Sequence, residues 1–133
     1  MTATNTSKGG IAWVEIKVLQ ESSADEEAYL KWVTKHIGHI AASSGVRSAF
    51  FYRNLDPNAE ARYLGIYAAD DLAFFGSEEF LGIGKRHGTV IETGKQSLEV
   101  VDMCVRKYNF VQKYKLDGIE KGTFSTIPFS NID

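Results

Sequence analysis

A single cysteine, two prolines and two methionines stand among 133 residues. Cys104 alone builds neither an intramolecular disulfide framework nor a cysteine-based metal site. No apolar run approaches the roughly 18–20 residues that cross a bilayer. Met1–Gly10 is polar and lacks the apolar segment of a secretory signal. Basic charge is not in surplus: 15 Lys and Arg against 17 Asp and Glu leave a formal charge of −2, which has little to offer a phosphate backbone. Neither a nucleic-acid nor a membrane partner is expected, and the expected compartment is the cytoplasm. What remains, 44% hydrophobic and 24% charged, is the composition of an ordinary globular domain, and the length suits one such domain.

What the sequence does have is periodicity. Between Ile11 and Leu19, Val14, Ile16 and Val18 alternate with Trp13, Glu15 and Lys17, the pattern of a strand. Ser22-Ser23-Ala24-Asp25 then supplies helix N-cap residues, and Glu26 and Glu27 suit the positive end of a helix. Tyr29, Val33, His36 and Ile40 follow at offsets 0, 4, 7 and 11, one narrow stripe of a helix with Trp32 on its flank. Gly45 is expected to end that helix as its C′ residue. A second strand is expected over 46–55 and a third over 61–69, joined as an antiparallel hairpin through Asp56-Pro57-Asn58. Asp70-Asp71 and Ser77-Glu78-Glu79 read as helix starts. Phe80, Ile83, Gly84 and His87 form a second stripe, which Gly76, Gly82 and Gly84 should leave short or broken. After a loop at 88–94, residues 97–114 alternate as one long strand. Leu98, Val100, Asp102, Cys104, Arg106 and Tyr108 lie on one side of it, and Val101, Met103, Val105 and Lys107 on the other.

The order β-α-β-β-α-β predicts an α+β, ferredoxin-like domain with an antiparallel sheet over residues 11–115. An extension, 1–10, precedes it, and an aperiodic tail, 116–133, follows. Two helices cover only one face of a four-stranded sheet. Trp13, Phe50, Tyr52, Tyr63, Tyr67 and Tyr108 are expected on the other, more aromatic surface than a monomer leaves in water. A symmetric homodimer with its two sheets face to face in a barrel would bury that surface, with the tail docked across the partner.

Two stretches carry a family resemblance. The first is Trp32-x-x-x-His36 with Gly45 nine residues on, then Val46-Arg47-Ser48-Ala49 and Tyr52-Arg53. The second is Ala61-Arg62-Tyr63-Leu64-Gly65-Ile66-Tyr67 leading into Asp70-Asp71-Leu72. Together they resemble the EthD-like branch of the dimeric α+β barrel proteins over about residues 12–82, departing at Gly38, where that family often has proline. The resemblance implies a homodimer with a small-molecule pocket between sheet and helices or inside the barrel. It also sets His36 at the family's histidine position. The superfamily holds cofactor-independent monooxygenases, dehydratases, polyketide cyclases, lactone isomerases and haem-dependent enzymes, so fold narrows the chemistry only partly.

Among individual residues, His36 is the first candidate, because an imidazole titrates near neutrality and can take or give a proton at carbon. The competing reading is a buried histidine bonded to a neighbouring strand. His39 lies about 60° round the helix from it. A metal held by His36, His39 and His87 would lack both an i, i+4 pair and a carboxylate on the stripe, so neither metal nor cofactor is expected. His87 either approaches the pocket mouth or ends a solvated helix. Arg106 either grips a substrate carboxylate with both nitrogens or pairs with Glu15 or Asp102 across the sheet. Cys104 has no neighbour in sequence that would lower its pKa. The aromatic residues serve as pocket wall or as oxyanion donors.

The combined expectation is a cofactor-independent lyase or isomerase that dehydrates, decarboxylates or cyclises a small aromatic or polyketide-like acid. His36, Tyr52 and Arg106 would be catalytic. Trp13, Glu15, Phe50, Tyr63, Tyr67, His87, Asp102 and Tyr108 would bind the substrate. The alternatives are a cofactor-free monooxygenase of an electron-rich aromatic, a haem-binding barrel and a non-catalytic ligand-binding dimer.

Overall fold

The computed structural model describes residues 8–19 and 22–111. Strand β1 (Gly10–Val18) buries Ala12, Val14 and Ile16 and leaves the residues between them partly exposed, as its period of two requires. Helix α1 (Ser23–Ala41) starts where the Ser22 hydroxyl accepts a hydrogen bond from the Asp25 N–H at 3.3 Å. Its buried side comprises Tyr29, Val33 and Ile40, with Ala28 beside them. It ends at Ala41 with Ala42 still right-handed, so Gly45 is not its cap. Gly45 is small for a different reason: a Cβ there would run into the Phe74 ring.

Strands β2 (Val46–Arg53) and β3 (Tyr63–Ala69) pair antiparallel. A 3₁₀ turn (Leu72–Gly76) follows, capped by the Asp71 carboxylate on the Ala73 N–H at 2.9 Å. The second helical stripe is broken as expected, into α2 (Glu78–Leu81), capped by Ser77, and α3 (Ile83–His87), with the join at Gly82. Ser97–Val100, which the alternation assigned to a strand, is a helical turn, α4. Its capping box decides this locally, with the Gln96 N–H donating to the Glu99 carboxylate at 2.8 Å. The last strand, β4, is therefore only Val101–Asn109. Positions 112–114 of the expected strand, the tail 116–133 and residues 1–7 lie outside the described residues.

The four strands form one antiparallel sheet in the order β2-β3-β1-β4, the arrangement of the ferredoxin-like split unit. One face carries Ala12, Val14 and Ile16 of β1 with Tyr63 and Tyr67 of β3, and α1 packs over it. The other carries Trp13, Glu15, Phe50, Tyr52, Leu64 and Ile66. Tyr63 and Tyr67 thus correct the expectation that they share the open face: both are buried under the helices. Register is the cause, because Tyr67 stands opposite Ala12 and Tyr63 opposite Ile16, both inward residues of β1. Among the described residues no helix is long and apolar enough to cross a membrane.

Candidate functional site

Between the inward face of the sheet and the stripe of α1 lies a cavity of about 300 Å³. β1 supplies its floor with Ala12, Val14 and Ile16, and α1 its roof with Tyr29, Trp32, Val33 and His36. Phe75 and Phe80 close one wall, and Leu98, Met103 and Val105 form another. The lining is dominated by hydrocarbon, so any polar group within it is conspicuous.

His36 is one such group. Its Nδ1 is buried and has no hydrogen-bond partner. Its ring stacks on Trp32 with centroids 4.5 Å apart and planes 16° from parallel. Trp32 is held in turn, because its Nε1 donates to the Gly88 carbonyl at 3.1 Å. Gly88 sits at φ 95°, a conformation that glycine alone adopts without strain, and this turn brings its carbonyl to the indole. Burial pushes the His36 pKa below its ordinary 6.5, and the nearby His39 and His87 push it the same way. The imidazole is thereby neutral at pH 7.

Two phenols line the same space. Burial pushes the Tyr67 hydroxyl up to about 12 and raises that of Tyr29 as well, so both remain protonated donors. The Tyr67 hydroxyl lies over Gly65, where a Cβ would stand 2.9 Å from it. Gly65 leaves the room that this hydroxyl occupies.

The sheet separates most of the other expected site residues from this cavity. Tyr52 and Arg106, expected to act with His36, project from the opposite face. There Arg106 Nη1 pairs with Glu15 Oε2 at 3.2 Å, and the same oxygen accepts from Trp13 Nε1 at 3.0 Å. Arg106 thus stands paired with Glu15, across the sheet from the cavity. Trp13 meets Tyr108 edge to face at 6.2 Å, and Phe50 and Tyr52 lie stacked at 6.2 Å, each half exposed. Asp102 stands opposite Lys17 on that face, and Cys104 is exposed beside it. Tyr63 lies on the cavity's side of the sheet but not in its wall, and its hydroxyl donates to Glu26 near the start of α1. His87, the last residue of α3, stacks on His39 with centroids 3.5 Å apart and planes 5° from parallel, outside the cavity lining. Among the described residues, no group of three His, Cys, Asp or Glu is placed to hold a metal ion.

Of the expected site residues, only His36 and Tyr67 line the cavity. Tyr29 and Lys107 do so as well, unanticipated. Tyr29 was legible, since it shares His36's stripe. Lys107 required knowing which side of β4 the helices cover.

No protein-family model matches the sequence, and no curated protein matches it. Solved structures do. The chain is similar to a Shewanella loihica PV-4 protein provisionally assigned as a monooxygenase, with 14% identity over 80% of this chain and 98% of that one, TM-score 0.56. It is similar to a dimeric protein of unknown function from Bacteroides fragilis, with 14% identity over 76% and 96% and TM-score 0.54. It is also similar to the hydroxynitrile lyase of Passiflora edulis, with 13% identity over 82% and 99% and TM-score 0.54. The shared fold is the ferredoxin-like one. At such identities the likeness is one of fold, and the neighbours are catalytically mixed.

Proposed function

We propose that the protein is a cofactor-independent lyase or isomerase, in which His36 moves a proton on a small aromatic or polyketide-like acid bound in the cavity. The observation that carries this reading is the buried, unpartnered Nδ1 of His36 in a chamber lined mostly by hydrocarbon. A buried polar atom without a partner costs about 1–3 kcal/mol, and a ligand that hydrogen-bonds to it recovers that cost. A neutral imidazole suits a base. It takes the proton from the carbon beside a carbonyl, and the C–H electron pair passes to the carbonyl oxygen. The Tyr67 hydroxyl, kept protonated by burial, donates a hydrogen bond to that oxygen. Collapse of the enolate expels a β-hydroxyl, which leaves as water with the imidazolium proton. Returning the proton to a different carbon gives an isomer instead. The EthD-like resemblance supports the reading by placing the family's histidine at His36.

A cytoplasmic homodimer completes the proposal. The open face bears Phe50 and Tyr52, each 50% exposed, and Tyr108 at 47%, which a second sheet would cover. The cavity lies on the other side of each sheet and stays accessible in such an assembly.

The test is a screen of phenolic and polyketide acids with wild type and His36→Gln, read by chromatography and mass spectrometry with oxygen uptake logged. The expected product is isomeric with its substrate or lighter by water or carbon dioxide, forms without oxygen uptake, and appears roughly 10²–10⁴-fold more slowly in the variant. Turnover at the wild-type rate in His36→Gln would overturn the role of His36. Product formation tied to oxygen consumption would replace the lyase with a monooxygenase.

A further inference from the structure

Strand β4 changes sides at every residue, and this decides which of its two adjacent cations meets the cavity. Arg106, opposite Trp13, faces away and is paired with Glu15. Lys107, opposite Ala12, faces the cavity and lines it. Ala12 is also opposite Tyr67, so Tyr67, Ala12 and Lys107 form one row across the inward face. The central member of that row is a methyl group, which leaves space above it. Among the described residues lining the cavity Lys107 is the one lysine, and no arginine and no carboxylate stands with it. It is exposed and has no ion-pair partner among the described residues. Lys17, Lys31, Arg47, Arg62, Lys95 and Arg106 each have one, and the other described cations without one, Lys8, Lys35, Arg53, Lys85 and Arg86, lie outside the cavity lining. Next to it on the same side of β4, Val105 and Met103 are 53% and 43% exposed, an apolar approach that ends at an ammonium.

We infer that Lys107 is the anion anchor of this cavity, and that the site selects molecules with an apolar, ring-sized body and one carboxylate over neutral molecules of the same shape. This rests on the reading of the cavity as the substrate site, and it names the charge of the substrate. The body lies against Val14, Val105 and Trp32 while the carboxylate meets Lys107 Nζ at the mouth, where water still reaches both. The geometry suits a monoanion, because no second cation lines the cavity among the described residues.

A lysine on an edge strand also discourages strand-to-strand pairing, whatever the cavity binds. The experiment therefore has to read ligand charge. Binding of 2-naphthoate and of its neutral isostere 2-naphthamide to the full chain is measured by calorimetry, with the His36 imidazole signals followed by NMR to report the location. Wild type is expected to prefer naphthoate by roughly tenfold, the effect of one charge-assisted hydrogen bond at a partly hydrated site. Lys107→Met should abolish the preference, Lys107→Arg should keep it, and Arg106→Gln should leave it unchanged. Added salt should weaken naphthoate and not naphthamide. Equal binding of the two probes with His36 perturbed, or a preference that survives Lys107→Met, would overturn the anchor and leave the cavity reading standing. Failure of both probes to move the His36 signals would overturn the cavity reading and the anchor with it.

Discussion

His36 sits in a position that stability alone would not choose. Its ring packs well on Trp32, yet its Nδ1 is buried without a partner. Phenylalanine keeps the stack and removes the orphaned nitrogen, so His36→Phe should match or exceed wild type by about 1 kcal/mol in urea unfolding while losing activity. A loss of several kcal/mol would mean that the imidazole has a structural task. The pH dependence follows from the same burial. Because the folded-state pKa lies below the ordinary 6.5, the unfolded chain takes up the proton first as pH falls. This group's contribution to stability is complete above pH 6.5 and is lost below it. Turnover that needs the neutral base should likewise persist through pH 6.5 and decline only at lower pH, in a kcat/KM profile that His36→Gln erases. A second residue-scale prediction concerns Gly45, whose missing side chain admits the Phe74 ring. Gly45→Ala should cost about 1–3 kcal/mol through overpacking, read from the same unfolding curve.

At the scale of elements, α1 is the part that carries the site, and two contacts fix its start. The Ser22 cap is worth about 0.5–2 kcal/mol, which Ser22→Ala should remove. Asp25, although buried, is charged and bonded to Lys95 Nζ at 2.6 Å, which ties the first turn of α1 to the loop before α4. The bond to Lys95, helped by Thr93, holds the Asp25 pKa below its ordinary 3.8. The stability it confers is present above that value and disappears as pH drops through the lower, folded value. Lys95→Met leaves a buried carboxylate unpaired and should lower Tm, with the deficit shrinking in acid as Asp25 becomes neutral. The elements between β3 and β4 show why local reading succeeds in one place and fails in another. Glycines at 76, 82 and 84 weaken a helix wherever it is placed, so the break at Gly82 was legible. Ser97–Val100 alternates like a strand over four residues, a length at which alternation and a single helical turn look alike. The Gln96–Glu99 capping box settles the matter.

For the whole molecule, the sheet divides the chemistry into two compartments. On one side are the cavity and His36. On the other is a half-exposed aromatic face crossed by the Trp13–Glu15–Arg106 cluster. If that face is the seam of a homodimer, Phe50→Lys with Tyr52→Glu should yield a monomer by analytical ultracentrifugation, with the cavity's naphthoate binding retained. A wild-type chain that sediments as a monomer would remove the dimer from the proposal. The resemblance anticipated a pocket either between sheet and helices or inside the barrel, and the cavity occupies the first of these places.

The order of elements, the α1 stripe with His36 in it, the broken second helix and the pairing of residues by face within each strand were all present in the sequence. Each depends on neighbours no more than about a dozen positions apart. What tertiary structure alone decided was which face of each strand the helices cover. Residues 63–69 are apolar on both sides, so their alternation has no built-in direction, and the pairing of Tyr67 with Ala12 supplied it. The same pairing logic placed Lys107 rather than Arg106 at the cavity. A period of two states which side chains travel together. Only register against the neighbouring strand, set between β1 and β3 by contacts 47 to 59 residues apart in the chain, states where they go.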